Sequence, residues 1–273
     1  MNKLFVAHKP RGLSSNQYLT RLKRKFKVKK AGYSGTLDPF ADGCLIVAFG
    51  THTRLFRFLN KTPKSYRATL WLGAYSQTLD IEAVEKISNV HEFPLHVIDA
   101  SISSLHGVQT YKPPIYCAKK INGQKAYELA RRGEDVELKE ITSTIHNIKL
   151  INYCHPFVTF EAVVSEGTFI RSLGTIIAQK LGVDGSLSSL TRLSEGQFSY
   201  NNEISLDIKK SLNIEQNRYL NELHVIELGQ KLTIDDFEKK DDGVYWLDCG
   251  NTITIVEIES GSVKYLLNKV VVC

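Results

Sequence analysis

A two-residue hydrophobic period in the run SYRATLWLG is the feature that most constrains the fold of this chain. Apolar side chains recur at every second position from Tyr66 to Leu72, while Arg67 begins the intervening set. This period predicts a strand with one buried face. The run CLIVAFG lacks polar residues and predicts a short buried strand, and two more strands are predicted at 143–151 and 157–164.

Helical patterns alternate with these strands and predict an α+β fold. Ser14, Ser15 or Asn16 is expected to cap a helix that runs to about Phe26. Asn122-Gly123 is typical of a hairpin turn. Further helices are predicted at 51–59, 92–105, 126–132 and 168–181, the last two ending at Gly133 and Gly182.

A change in composition near residue 212 predicts two domains in the 273 residues. Residues 213–273 carry 6 basic and 11 acidic side chains and contain the strand-like runs TITIVEI and VKYLL. We therefore expect a large domain over 1–212 and a small β-rich domain over 213–273. The apolar content of 42% and charged content of 23% are those of an ordinary globular protein.

The five cysteines are widely spaced and form no CxxC pair, which predicts neither a disulfide framework nor a zinc site. The eight histidines are scattered, and no metal constellation is expected. The longest apolar run, residues 44–49, is far below the ~20 residues of a spanning helix. We expect a cytoplasmic protein with no membrane segment, and a monomer by default.

Charge is distributed very unevenly along the chain. Residues 1–70 carry 15 basic and 2 acidic side chains, a net of +13, whereas residues 71–273 carry 20 and 27, a net of −7. Such a basic segment is typical of a protein that binds a polyanion, most simply nucleic acid. A solvated helix face would explain RLKRKFKVKK alone, but it would not explain the near-absence of acids over 70 residues.

The two acidic residues of that segment, Asp38 and Asp42, both lie in GYSGTLDPFADG. Pro39 restricts Asp38 to extended or turn geometry, and the glycines permit tight bends or close approach. An Asp-Pro turn is the simple structural explanation. A carboxylate nevertheless repels phosphates and so weakens the binding of a polyanion. The presence of Asp38 in this region therefore favours a chemical role for it.

A lone carboxylate restricts the chemistry available on a nucleic acid. Two-metal hydrolysis needs several acidic ligands, which this segment lacks. Ordinary glycoside hydrolysis needs a pair, for which Asp42 remains open, and covalent catalysis by Asp38 also remains open. A nucleophile acting on a base or sugar would require a flipped nucleotide, a pocket of apolar or aromatic residues, and an orienting cation. Tyr66 and Arg171 are candidates, although an arginine such as Arg171 is more often a surface residue with a packed stem.

Six segments in a fixed order carry a resemblance to a known family. They are HKPRGLSSN, GYSGTLDPFADGCLIVAFGTHTR, SYRATLWLG, HGVQTYKPPIYCAKKINGQKAYELARRG, GTFIRSLG and LSSLTRLSEGQFS. Together they resemble the bacterial tRNA pseudouridine synthase B family over about residues 5–200. The resemblance implies a central mixed, mostly antiparallel sheet flanked by helices, with an RNA-clamping insertion at about 100–140.

The resemblance also implies the activity, which is conversion of uridine 55 in the T stem-loop of tRNA to pseudouridine. Asp38 matches the family's nucleophile, which attacks a flipped uridine so that the glycosidic bond breaks at N1 and reforms at C5. Tyr66 matches a residue that stacks on the base and helps to remove the C5 proton, and Arg171 matches the partner of the aspartate. The family uses no metal and no cofactor.

Further residues match the family's substrate contacts. Leu190 matches a residue of the uracil pocket, and Asp80 a polar residue near the site. Lys9, Arg54 and Lys119 fall in segments that grip RNA in the family.

Two departures from the family pattern stand out. Tyr33 replaces the usual histidine before Ser34-Gly35, and we expect altered contacts to the flipped loop. The region 213–273 would be a reduced form of the family's PUA-type domain, and its net charge of −5 argues against a strong phosphate grip. A non-catalytic RNA binder and a synthase acting on another RNA, such as rRNA, remain alternatives.

Overall fold

The computed structural model describes residues 1–272. Six α-helices are described: α1 Ser15–Lys25, α2 Leu95–Ser103, α3 Ala126–Arg131, α4 Ile170–Lys180, α5 Ile208–Ser211 and α6 Leu223–Glu227. The strands are β1 Lys3–Lys9, β2 Ala31–Ser34, β3 Asp42–Phe49, β4 Lys64–Leu72, β5 Ala74–Ser76, β6 Val84–Ile87, β7 Gly107–Tyr111, β8 Lys120–Ile121, β9 Gln124–Lys125, β10 Ile141–Cys154, β11 Phe157–Val164, β12 Gly185–Glu195, β13 Phe198–Ser199, β14 Glu215–Gln216, β15 Gly243–Cys249, β16 Thr252–Glu259 and β17 Ser262–Val271. Short 3₁₀ helices cover Gly50–Phe58, Ile81–Ala83 and Ile234–Asp236.

A nine-stranded mixed sheet organises most of the chain. Its main order is β1-β3-β12-β4-β11-β10-β7, with β2 added on β3 and β13 on β12. Every pairing is antiparallel except β3–β12, which is parallel and pairs Thr191 with Asp42 and Arg192 with Gly43. The expected α+β architecture, with a central, mostly antiparallel sheet, is confirmed.

Strands β1 and β3 are buried on both faces, which explains the uninterrupted apolar run of CLIVAFG. On one face, Leu45 and Val47 pack with Leu22 of α1. On the other face, Ile46 and Ala48 join a core that includes residues of the C-terminal sheet. Alternate side chains of a strand point to opposite faces, so a strand between two layers needs apolar residues at every position.

The C-terminal sheet, in the order β14-β15-β16-β17, packs against this second face. Its inward residues include Trp246, Ile253 and Leu267, which share one core with the face of β1 and β3. The sheet is therefore attached to the central sheet by apolar burial, which is the main favourable term in folding. The division at residue 212 remains a prediction.

Local signals in the sequence account for several elements. Ser14 caps α1 in a full capping box with Gln17. Asn122 and Gly123 connect β8 to β9, as the hairpin signal predicts. The helix expected at 51–59 is instead a 3₁₀ helix, in which His52, Leu55 and Phe58 are buried at the three-residue period of that helix type. No helix within residues 1–272 is long and apolar enough to cross a membrane.

Candidate active site

The loop between β2 and β3 carries Asp38 and is shaped by two glycines. Gly35 has φ +66° and Gly43 has φ +108°, both in the region that favours glycine. A Cβ at Gly43 would lie 2.2 Å from the Arg192 carbonyl oxygen. Asp38 itself accepts a backbone hydrogen bond of 3.1 Å from Ala41, which closes the turn after Pro39.

The segment before α1 braces this loop from one side. The buried hydroxyl of Ser15 donates to the Leu37 carbonyl at 3.0 Å and accepts from the Leu37 amide at 2.9 Å. The Gly12 amide donates to the Pro39 carbonyl at 2.8 Å. The residues on both sides of Asp38 are therefore tied to the start of the basic helix, which limits movement of the carboxylate.

Arg171, at the second position of α4, joins four segments of the chain. Its Nε lies 3.0 Å from Asp38 Oδ2 and its Nη1 lies 3.5 Å from Asp80 Oδ2. Nη1 also donates to the Thr78 carbonyl at 2.7 Å, and Nη2 donates to the Tyr116 carbonyl at 2.9 Å. The Arg171 side chain is only 4% exposed, whereas that of Asp38 is 35% exposed. The guanidinium is thus fixed, while the nucleophile candidate stays accessible.

Asp80 supports this arrangement from beneath. Its Oδ1 accepts from the Thr78 hydroxyl at 2.7 Å and from the Glu82 amide at 3.0 Å, so it caps the short 3₁₀ helix. Burial raises the pKa of Asp80, and the hydrogen bond from Thr78 opposes that rise. Asp80 is nearly inaccessible, and its link to Asp38 runs through Arg171.

A cavity of about 380 Å³ opens beside Asp38. Its lining includes Tyr66, Arg171, Leu190 and Lys119, all of which the sequence singled out. Tyr66 lies on β4 and Leu190 on β12, two antiparallel neighbours, so the sheet supplies one wall. Burial raises the pKa of the Tyr66 phenol, and the nearby Arg192 opposes that rise. The cavity thus combines apolar walls with several charged groups, and convergent polar groups of this kind fix the orientation of a ligand.

Three ionic residues of the lining, Lys64, Glu166 and Arg192, were missed by sequence reasoning, as was the buried Glu195 that pairs with two of them. Arg192 lies directly across from Tyr66 in the β4–β12 ladder, and Glu195 across from Lys64. Arg192 Nη2 is 2.9 Å from Glu195 Oε1, and Lys64 Nζ is 3.4 Å from Glu195 Oε2. The two-residue period of SYRATLWLG, extended back to Lys64, would have put that lysine on the same face as Tyr66.

Lys9 is fully buried, in contrast to its expected position in an RNA-gripping segment. Its ammonium donates to the carbonyls of Pro10 at 3.0 Å, Leu13 at 2.7 Å and Pro39 at 3.4 Å. Burial lowers the pKa of Lys9 to about 8. Its contacts make it a support of the Asp38 loop.

The other predicted contact residues differ in how close they lie to the cavity. Lys119 is exposed at its rim, at the start of the β8–β9 hairpin. Tyr33, on β2, packs against the apolar cluster between α1 and the sheet, outside the lining. Arg54 also lies outside it, is exposed, and donates to the Leu266 carbonyl at 3.4 Å. Asp42, the second carboxylate of the loop, pairs with Arg11 at 2.9 Å.

Comparisons with known proteins agree on one family. The model of the family described as "TruB family pseudouridylate synthase (N terminal domain)" matches residues 23–170. The tRNA pseudouridine synthase B of Sulfurimonas denitrificans is 56% identical over 99% of both chains. The protein of the same name from Campylobacter jejuni serotype O:2 is 50% identical over the full length of both chains.

Solved structures share the fold at lower identity. The chain described as "Crystal Structure of a Cbf5-Nop10-Gar1 Complex" matches with a TM-score of 0.66 and 20% identity, covering 97% of this chain and 84% of that one. A chain from "Structure of H/ACA RNP bound to a substrate RNA containing 2'-deoxyuridine" matches with a TM-score of 0.63 and 19% identity, covering 98% and 83%. By sequence, this chain belongs to the TruB family of pseudouridylate synthases.

Proposed function

We propose that this protein converts uridine 55 in the T stem-loop of tRNA to pseudouridine, with Asp38 as the nucleophile. Relatives at 50–56% identity over the whole chain carry the name tRNA pseudouridine synthase B. The observation that carries the proposal is the 3.0 Å contact between Asp38 and a buried Arg171, which is also bonded to two backbone carbonyls, at the edge of the cavity.

The proposed reaction is an isomerisation whose atoms balance without a co-reactant. Asp38 forms a bond to the uridine and the bond between N1 and the ribose C1′ breaks; C1′ then bonds to C5, and the bond to Asp38 breaks again, which frees the carboxylate. The proton on C5 is lost and N1 gains one, so the product has the composition of the substrate. A carboxylate held in one orientation by a guanidinium is well suited to such covalent catalysis.

The reacting base must leave its stack to reach Asp38, because the carboxylate lies in a cavity and not on a protruding surface. Tyr66 and Leu190 provide an aromatic and an aliphatic wall for a flipped base. Specific RNA recognition usually targets loops whose bases can be splayed out, and a T-loop is such a target. Tyr66 is assigned to stacking on the base and to removal of the C5 proton.

The segment 100–140 is assigned to clamping the RNA stem-loop. It holds the β8–β9 hairpin and α3, and it reaches the site through the Tyr116 carbonyl and through Lys119 at the rim. Arg171 therefore joins the clamp to the catalytic loop.

We further assign residues 213–273 to a small C-terminal unit, and we expect a monomer acting in the cytoplasm, which sedimentation and cell fractionation would test.

The function is tested by mapping pseudouridine in an unmodified tRNA transcript after incubation with the protein. Carbodiimide labelling followed by mass spectrometry should find one pseudouridine, at position 55. A transcript with cytidine at that position is the matched control and should remain unlabelled. Pseudouridine at another position, or only in rRNA, would contradict the assigned substrate. Tight binding of tRNA with no product would favour a non-catalytic RNA binder.

A further inference from the structure

Two ionic clusters lie at the same cavity, where Asp38 and Arg171 of the first and Lys64 and Arg192 of the second form part of the lining. The first contains Asp38, Asp80 and Arg171, which sum to −1 in their ordinary charge states. The second contains Lys64, Arg192 and Glu195, which sum to +1 without the exposed Glu166 that lies 3.8 Å from Lys64. The first cluster belongs to the proposed chemistry, and the second has no role in it.

The second cluster is built around a carboxylate with no access to solvent. Glu195 is 0% exposed, and neither of its oxygens makes a well-directed hydrogen bond within residues 1–272. Arg192 is held rigidly by donating to the carbonyls of Cys44 at 2.8 Å and Gly35 at 3.0 Å. A buried ionic group is costly, and this cost favours a function beyond stability for the cluster.

Lys64 is the member of the cluster that can act on a ligand. Both Lys64 and Glu166 line the cavity, and Lys64 Nζ lies 3.8 Å from Glu166 Oε1. The Glu166 side chain is 62% exposed, so this second contact is weak and replaceable. It also shows that an anionic oxygen can approach Lys64 from the cavity. An ammonium has three N–H groups, which leaves at least one for a further acceptor.

We propose that Lys64 binds a phosphate group adjoining the target uridine, an assignment that rests on the proposed function. A nucleotide carries one anionic group, its phosphate, and the net negative charge around Asp38 repels it. Lys64 and Arg192 attract it once it takes the place of the exposed Glu166 beside Lys64. The two clusters thereby orient the nucleotide, with the glycosidic bond towards Asp38 and the phosphate towards Lys64. Glu195 is a positioning residue that holds the ammonium and the Arg192 guanidinium in place.

The test combines a protein variant with a change in the RNA. T stem-loop RNAs carry a neutral methylphosphonate in place of either the 5′ or the 3′ phosphate of the target uridine. Wild-type protein and Lys64→Met are compared by equilibrium dissociation constant and single-turnover rate. Lys240→Met, which neutralises an exposed lysine paired with Asp235, is the matched control.

One of the two methylphosphonate RNAs should bind wild-type protein about tenfold more weakly, because a charge-assisted contact is lost. Lys64→Met should bind unmodified RNA more weakly than wild-type protein by the same factor. The two proteins should bind that methylphosphonate RNA with equal affinity, because the contact is already absent. The salt dependence of its binding should also fall by about 0.7 in log–log slope, as for one lost phosphate contact. Lys240→Met should behave as wild type.

Two outcomes would overturn the phosphate assignment while leaving the proposed function intact. In one, the losses in affinity from Lys64→Met and from the methylphosphonate multiply when the two changes are combined. In the other, wild-type protein binds both methylphosphonate RNAs with full affinity. The second of these outcomes does not depend on the folding of any variant. If Lys64→Met folds poorly because Glu195 loses one of its two cationic partners, the double variant Lys64→Met/Glu195→Gln, which also removes the buried negative charge, is used instead. Absence of pseudouridine in unmodified RNA with wild-type protein would instead refute the proposed function, and the phosphate assignment with it.

Discussion

Replacing Arg171 by lysine keeps the charge next to Asp38 but removes the fork that orients it. The guanidinium reaches Asp38 Oδ2 from Nε at 3.0 Å, the Thr78 carbonyl from Nη1 at 2.7 Å and the Tyr116 carbonyl from Nη2 at 2.9 Å. A lysine ammonium donates from a single atom and cannot span these acceptors. At least two hydrogen bonds from a charged donor are lost.

Hydrogen bonds to charged groups contribute about 1.5–3 kcal/mol each, so the two losses amount to at least about 3 kcal/mol. Part of this loss lowers the free energy of unfolding, because two partly buried carbonyls lose their partner. The remainder misorients Asp38. We expect Arg171→Lys to form pseudouridine about 100-fold more slowly, which corresponds to about 2.7 kcal/mol of activation free energy.

The assay is single-turnover pseudouridine formation with saturating enzyme, so that weaker RNA binding does not affect the rate. Arg67→Lys is the matched control, since Arg67 pairs with Glu161 at 2.7 Å but its side chain is 54% exposed. That change should leave the rate unaltered, because exposed ion pairs contribute little. A folded Arg171→Lys protein that retains more than a third of the wild-type rate would refute the orienting role of the guanidinium.

Three further predictions concern the loop and the wall of the cavity. Gly43→Ala should lower the free energy of unfolding by more than about 2 kcal/mol, because the added Cβ meets the Arg192 carbonyl. The control Gly250→Ala, at φ +76° in open space, should cost only about 1 kcal/mol. Equal losses for the two variants in urea denaturation would contradict the close approach at Gly43. The pKa of Lys9 is lowered to about 8 in the folded protein, so the unfolded chain binds that proton more tightly than the folded chain does. The free energy of unfolding, relative to that of Lys9→Met, should therefore rise between pH 8 and pH 10. The opposite slope in guanidinium denaturation would contradict the burial of the Lys9 ammonium. Tyr66→Phe should bind RNA with unchanged affinity yet turn over about 100-fold more slowly, as expected for a lost general base; near-normal turnover would limit Tyr66 to stacking.

The sequence predicted those parts of the fold and site that depend on local patterns. The alternation in β4 indicated its buried face, the three candidates Ser14, Ser15 and Asn16 included the cap of α1, and Asn122-Gly123 indicated the hairpin. The resemblance brought Asp38 and Arg171 together across 133 residues, and the ion pair is present. These features follow from short-range chemistry or from family motifs.

The rest depends on packing between distant segments, for which local patterns carry no signal. The Lys9 stem and ammonium are enclosed because the Asp38 loop folds over them, and a lysine in a basic segment gives no sign of this. The pairing of Glu195 with Lys64 requires the register of β12 on β4, including its bulge between Arg192 and Ser194. The shared core of the two sheets likewise arises only when β1 and β3 are buried between layers.

The central claim is that Asp38 is the nucleophile, and the paired variants Asp38→Asn and Asp42→Asn test it most directly. Both changes remove one negative charge from the same loop while keeping the side-chain shape, but only Asp38 contacts Arg171 in the cavity, whereas Asp42 contacts Arg11. Single-turnover pseudouridine formation in T stem-loop RNA should be undetectable for Asp38→Asn, with RNA binding retained, and near the wild-type rate for Asp42→Asn. Full activity of Asp38→Asn, or equal losses in the two variants, would contradict the account.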